Sequence, residues 1–100
     1  MNQSEPTDIF NRINLETGTL QWRELERHFA RGVVIAVMPG LDLIEVAAGM
    51  AMDDKGKIAG WLDSGLIFHA TEENARDWLQ RDPAFWATVV APWVLIQEKT

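Results

Sequence analysis

The side chains that could carry acid–base chemistry are few in this sequence. Cysteine and tyrosine are absent, so general acid–base work would fall to His28, His69 or a carboxylate. A metal site could combine the histidines with Asp53 and Asp54, since imidazole and carboxylate groups are common metal ligands. The two histidines lie far apart in the sequence, and no ligand spacing links them. We therefore predict no metal site and no cofactor, and we assign no catalytic residue.

Candidate nucleophiles are equally scarce. The serines are Ser4, in a polar leading segment, and Ser64, beside the helix-ending Gly65, and neither has a neighbour that would activate it. The sequence contains no phosphate-binding glycine loop, no His-Glu-x-x-His and no Gly-x-Ser-x-Gly. These absences favour a non-enzymatic protein. The alternative is a small-molecule-binding domain or minor enzyme with a pocket near His69, Trp61 and Asp63.

The charge balance disfavours nucleic acid as a partner. The net charge is −6, with 9 basic and 15 acidic side chains, whereas nucleic-acid binding depends on neutralising phosphates. Arg23, Arg27 and Arg31 recur every four residues and could form an anion-binding face. Glu24 and Glu26 are interleaved with them, so we favour the solvated side of an amphipathic helix.

The absence of cysteine and of a basic, apolar leading segment predicts a soluble protein of the cytoplasm. The nearest approach to a membrane span is the stretch 33–52. Pro39 interrupts it, and Asp42 and Glu45 would lie near the bilayer centre. We therefore expect no membrane association.

Hydrophobic periodicity divides the chain into helices and strands. We expect residues 1–6 to be a flexible tail and residues 7–100 to form one domain. The predicted helices run from Thr7 to about Thr17, Gln21 to Arg31, Asp42 to about Asp53, Lys57 to Ser64, and onward from Thr71. The predicted strands are Val33–Met38, Leu66–Ala70 and Val89–Gln97, and Asp82-Pro83 is expected to open a short turn. The order α-α-β-αα-β-α-β predicts an α+β fold, with a small three-stranded sheet, parallel or mixed, and about five helices.

The third predicted helix is apolar on more than one side. Ile44, Ala48 and Ala51 extend its apolar face beyond the side expected to meet a core. Such a helix is either central in the core or covered by a partner. Burial within the chain is the favoured interpretation, and these three residues remain candidates for an interface.

The last predicted strand contains a conflict. Both of its faces are apolar, as in a central strand, but Pro92 cannot donate to a ladder and belongs at an edge, a strand start or a bulge. Either regular pairing begins after Pro92, or the strand is an edge that a second subunit covers. Trp86 and Trp93 flank this strand, and tryptophan is enriched at interfaces. Core burial is favoured for both, and Trp86, Pro92 and Trp93 are also interface candidates.

Four segments carry a family resemblance. They are Trp22–Gly32, Leu41–Ala48, Trp61–Gly65 and Trp86–Leu95, and Val-Val-Ala-Pro-Trp-Val-Leu in the last is the most specific. From about Leu15 to Gln97 the chain resembles a family of short bacterial proteins known as domain of unknown function 2288. The resemblance implies a bacterial, stand-alone cytoplasmic protein. It implies no particular activity, and it transfers no catalytic residue.

The sequence does not specify a biochemical function. The missing nucleophile, metal spacing and phosphate loop, together with surplus apolar surface, favour a small non-enzymatic protein-interaction or regulatory module. We expect an unidentified protein partner or a homodimer.

Overall fold

A computed structural model describes residues 18–99 of the chain. The helix predicted from Thr7 to about Thr17 and the tail predicted over residues 1–6 lie outside this range. The helices within it are α1 (Trp22–Ala30), α2 (Leu43–Ala51), α3 (Lys55–Asp63) and α4 (Glu72–Arg81). The strands are β1 (Gly18–Gln21), β2 (Val34–Val37), β3 (Ile67–His69), β4 (Ala84–Val90) and β5 (Trp93–Glu98). The fold is α+β.

The strands form one mixed sheet in the order β1-β4-β5-β2-β3. The central strand β5 pairs in parallel with β2, and the other three pairs are antiparallel. Val34 lies opposite Val94, so the parallel pair joins segments that are distant in the chain. Helical connections lead from β2 to β3 and from β3 to β4, and a two-residue turn joins β4 to β5.

The prediction of three strands and five helices is wrong, because the described residues contain five strands and four helices. The segment Gly18–Gln21 was expected to end one helix and open another, but it forms β1 against β4. Asp82 was expected to cap a turn. It instead ends α4 with a left-handed conformation (φ 48°), and β4 follows directly after Pro83.

The predicted strand Val89–Gln97 is two strands rather than one. Ala91 and Pro92 form the turn between β4 and β5, where a missing backbone donor leaves no gap in the ladder. This placement resolves the conflict over Pro92, since regular pairing of β5 begins at Trp93. Both faces of β5 are apolar because it is the central strand of a sheet covered on both faces.

Each face of the sheet has its own core. The first face packs against α1 and α4 around Trp22, Leu25, Val34, Ala36, Trp78, Phe85, Ala87, Val94 and Ile96. The second face packs against α2 around Ile35, Val37, Leu43, Val46, Ala47, Ala48, Ile67 and Leu95, with Ile58 and Trp61 of α3 packed against that cluster. Alternate residues of β2 and β5 supply the two cores, as the two-residue period of a strand requires.

Side-chain caps define the starts of α2 and α4. The Asp42 carboxylate accepts a hydrogen bond from the Ile44 backbone N–H at 2.9 Å. The Thr71 hydroxyl accepts one from the Asn74 backbone N–H at 3.2 Å. Each cap satisfies a donor that the first turn of a helix would leave without a partner.

An ion-paired cluster holds α4 against the end of β5. Arg81 donates to both carboxylate oxygens of Glu98 at 3.0 Å and to Asp77 at 2.7 Å. The Trp78 indole N–H also donates to Glu98 at 3.3 Å. Hydrogen bonding from Arg81 is the main reason that the pKa values of Asp77 and Glu98 lie below their ordinary values.

Candidate interaction surfaces

The structure separates the residues considered for acid–base or metal chemistry. The exposed ring of His69 lies edge-on against Trp93, with 5.4 Å between ring centroids, whereas His28 is half-buried on α1. Asp54 caps α3 by accepting a hydrogen bond from the Lys57 backbone N–H. In the range 18–99, no group of three or more His, Asp or Glu side chains is placed to hold a metal ion.

The residues considered for a small-molecule pocket are also spread out. Trp61 packs so closely on α2 that a Cβ added at Gly49 would lie 3.0 Å from its ring. Trp61 is therefore a packing residue between two helices. Asp63 is exposed at the last position of α3, while His69 contacts Trp93. The pocket near these residues remains a prediction.

Two clefts lie on the helical layers instead. One of about 190 Å³ runs between α2 and α3 and is bordered by Asp42, Glu45, Asp54 and Lys57. Another of about 240 Å³ separates α1 from α4. Neither histidine borders these clefts, and the clefts bring together no set of groups with an evident catalytic role.

The predicted interface residues of α2 occupy different environments. Ala48 is 2% exposed and belongs to the second-face core, so its side chain lies on no exposed surface. Ile44 is half-buried in the first turn of α2, and Ala51 is exposed at its last residue. The small residues of α2 thus allow close packing against α3 rather than presenting one continuous outer face.

The three remaining predicted residues lie at opposite ends of β4. Pro92 is exposed in the turn after β4 and is followed by half-buried Trp93. Trp86 is 44% exposed near the start of β4. Val90, the last residue of β4, is four residues from Trp86, which is about 13 Å along a strand. Pro92 and Trp86 therefore lie on different surfaces, and Trp93 packs against the second-face core.

The first surface is the tip of the β4–β5 hairpin, which we call the hairpin-tip surface (Val89, Ala91 and Pro92). Trp93 lies on the opposite face of the sheet, packed against the second-face core. Val89 is 56% exposed although it lies within a strand, and Ala91 and Pro92 are exposed. Val89 was not among the predicted interface residues. The alternation of residues along a strand predicts which face of the sheet Val89 occupies, and Val89 is paired with Val94 on that face. It does not predict that the helices on this face leave Val89 exposed.

The second surface lies on the two outermost strands at one side of the sheet, and we call it the outer-strand surface (Thr19, Gln21, Trp86 and Lys99). Trp86 is paired with Thr19 of β1, and the Lys99 ammonium is 4.0 Å from the centroid of its ring. Thr19 and Gln21 are exposed. A cation over an aromatic face holds the ring in place without covering its edges.

The hairpin lacks charge in an otherwise acidic chain. No charged residue occurs from Ala84 to Gln97, whereas the whole chain has a net charge of −6. The segment itself therefore contributes no like-charge repulsion to an approach between two copies.

The family resemblance seen in the residues is confirmed. The sequence profile of the family described as "Protein of unknown function (DUF2288)" matches residues 8–98. The chain belongs to this family. A comparison with curated proteins gives no match.

A solved structure of similar sequence supports the fold. It is described as "NMR solution structure of PA1075 from Pseudomonas Aeruginosa", and it is 44% identical in sequence with a TM-score of 0.83. The match covers 100% of this chain and 92% of that chain. Neither the family description nor this structure's description states an activity.

Among residues 18–99, no helix combines the length and the apolar character needed to cross a membrane.

Proposed function

We propose that this protein is a non-enzymatic protein-interaction module that self-associates through the hairpin-tip surface. The observation that carries the proposal is the exposure of Val89, 56%, within a regular strand and beside the exposed turn Ala91–Pro92. Val89 is contiguous with the exposed residues Ala91 and Pro92, and a contiguous exposed apolar patch often marks a contact with another protein.

The favoured occupant is a second copy of the chain. The hairpin carries no charge between Ala84 and Gln97, so two copies can approach there despite their net charge of −6 each. A two-fold contact uses the same patch on both subunits, so Val89 of one copy can lie near Val89 of the other. Pro92, in the exposed turn, supplies rigid surface beside it.

The proposed contact buries little area, and the expected affinity of the dimer is therefore low. Stable interfaces bury about 800 Å² on each partner. Three exposed side chains provide much less than that. We therefore expect a weak dimer that exchanges rapidly with the monomer and forms as the concentration rises.

We also propose that the protein acts in the bacterial cytoplasm. The similar structure comes from a bacterium, and a chain without cysteine suits a reducing compartment.

Sedimentation equilibrium over a range of concentrations tests self-association. The wild-type mass should rise from the 11.3 kDa monomer toward twice that value. Val89→Lys places like charges in the contact and should keep the protein monomeric. The matched control is Leu79→Lys, which changes an aliphatic residue of 65% exposure on α4 and should associate as the wild type does.

Thermal unfolding of both variants shows whether they are folded. A wild-type protein that stays monomeric at millimolar concentration would refute self-association. Equal association by Val89→Lys and the wild type would place the contact on another surface.

A further inference from the structure

One edge of the sheet ends at β3. The strand order places β2 on one side of β3 and no strand of residues 18–99 on the other. His69, the last residue of β3, is exposed, so this edge is accessible there. An unpaired edge is a template on which a further strand can add.

Two hydrogen bonds determine which backbone groups of β3 point outward. The Leu66 carbonyl accepts from the Met38 N–H at 2.9 Å before the strand begins, and the Ala70 N–H donates to β2 at 3.1 Å after it ends. Hydrogen-bonded pairs recur at every second residue of an antiparallel ladder. Ile67 and His69 therefore direct their N–H and C=O groups away from β2, toward the open edge.

Exposed apolar side chains lie beside this edge. Leu66, directly before β3, is 38% exposed, and Met38, which donates to it, is 42% exposed. Phe68, between the two residues whose backbone points outward, is half-buried against the first-face core. An apolar side chain on an added strand would therefore meet an apolar neighbour opposite Phe68.

The charges around the edge are of one sign. From Ile58 to Ala75 the sequence contains Asp63, Glu72 and Glu73 and no lysine or arginine. Asp63 is exposed before β3, and the two glutamates are exposed after it, in the first turn of α4. A second copy would bring the same carboxylates against them, whereas lysine or arginine at the ends of an added strand would be attracted.

We propose that the β3 edge binds an extended, basic segment of a partner protein by strand addition. The segment runs antiparallel to β3, with an apolar residue opposite Phe68 and lysine or arginine at both ends. Backbone hydrogen bonds to Ile67 and His69 supply the affinity, and the flanking carboxylates select the sequence. This edge is separate from the hairpin-tip surface, since β5 and β2 lie between β4 and β3. Its use does not depend on self-association.

Titration of the full 15N-labelled chain with a capped peptide, Lys-Lys-Thr-Val-Thr-Lys-Lys, tests the proposal by NMR. In the antiparallel pairing the two threonines lie opposite Ile67 and His69, and the valine lies opposite Phe68. Few backbone groups take part, so the titration extends to millimolar peptide. We expect the largest chemical-shift changes, and slower hydrogen exchange, at the Ile67 and His69 amides. The Val89 amide should be unaffected.

Control peptides separate the backbone contribution from that of charge. N-methylation of both threonines removes the donors that face the edge and should abolish the shift changes. N-methylation of the valine, whose N–H points away from β3, should leave binding unchanged. Replacement of every lysine by glutamate should abolish binding, because the flanking carboxylates would then repel the peptide.

Two variants of His69 test the same hydrogen bonds from the side of the protein. His69→Pro removes one outward donor while leaving the bonds to β2 in place, and it should weaken peptide binding by roughly threefold or more. The matched control His69→Ala keeps the N–H and should bind as the wild type does. Both variants lose the ring contact with Trp93, so their difference isolates the N–H. Thermal unfolding shows whether both are folded, and the methylated peptides test the edge without any substitution.

Three results would overturn the proposal. Equal binding of the peptide methylated at its threonines would show that the contact does not use the backbone of the edge. Shifts of the Ile67 and His69 amides that grow with protein concentration in the absence of peptide would identify a second copy as the occupant. Slow exchange of both amides in the dilute protein alone would show that the chain itself already pairs with this edge.

Discussion

Thr88 allows a direct test of packing in the core, because the expected change in stability depends on one atom, its hydroxyl oxygen. Its side chain is 2% exposed on β4, and within residues 18–99 its hydroxyl has no hydrogen-bond partner. Replacement by valine exchanges that hydroxyl for a methyl group of similar shape. Both residues are β-branched, so the strand conformation is suited to each.

The expected gain follows from the missing partner. A buried polar group without a hydrogen bond costs about 1–3 kcal/mol, and a methyl group at the same place carries no such cost. We therefore expect Thr88→Val to raise the free energy of unfolding by about 1 kcal/mol or more. For a domain of this size, each kcal/mol corresponds to roughly 4–8 °C in Tm.

The same substitution at Thr71 should have the opposite sign. The Thr71 hydroxyl caps α4 by accepting from the Asn74 backbone N–H at 3.2 Å. Loss of such a cap costs about 1 kcal/mol. Thr19→Val, at an exposed strand position, provides a neutral reference.

Urea unfolding followed by far-UV circular dichroism measures all three variants under identical conditions. The expected order of stability is Thr88→Val, then wild type and Thr19→Val together, then Thr71→Val. A Thr88→Val protein less stable than wild type would refute the reasoning, because it would show that the buried hydroxyl makes a favourable interaction.

Three further outcomes are expected. Leu25→Ala removes a fully buried side chain from the first-face core and should lower the free energy of unfolding by about 2–5 kcal/mol in urea titrations; a loss below 1 kcal/mol would contradict that burial. Asp42→Ala removes the α2 cap and should cost about 1 kcal/mol by the same measurement, whereas Asp42→Asn should retain most of the stability. Because the pKa of Glu98 is lowered in the folded protein, its interaction with Arg81 stabilises the fold above the ordinary value of 4.5 and is lost as the pH falls through the lowered pKa. The urea midpoint should therefore fall below about pH 4.5, and the fall should be shallower in Glu98→Gln; equal slopes would contradict the assignment.

Local signals in the sequence predicted the positions of the four described helices and of the interior strand β2, although the predicted numbers of helices and strands were wrong. The run Val33–Met38 is bounded by Gly32 and Pro39 and forms β2. The cap at Asp42 is a short-range interaction that needs no tertiary information. Such features depend on neighbours within a few residues, and the sequence alone therefore reveals them.

The missed strands depend on distant partners. Gly18–Gln21 is too short to show periodicity, and it is a strand because β4 lies beside it. Asp82-Pro83 resembles the start of a helix, but the residues after it alternate between the first-face core, at Phe85 and Ala87, and the other face. Tertiary pairing overrides the local pattern in both places.

The candidate surfaces were only partly predictable. Pro92 and Trp93 are adjacent in the sequence, but their exposure depends on the hairpin, which leaves Pro92 exposed and Trp93 half-buried. Ala48 resembled a surface residue on the helical wheel, yet it is buried in the core that α2 shares with α3. The exposure of Val89 depends on where α1 and α4 end, which no short segment of the sequence encodes.

The central position of β5 has a consequence for biosynthesis. Leu95 and Ile96 are both fully buried, one in each of the two cores. They belong to β5, which comes after all four other strands in the chain. While they remain inside the ribosomal tunnel, β2 has no parallel neighbour and β4 has no hairpin partner. The helices and the β1–β4 and β2–β3 pairs can form without β5, but the five-stranded sheet can be completed only when β5 is available. A ribosome stalled even ten codons earlier therefore holds a chain whose strand edges are open, which is the state that chaperones recognise and proteases remove.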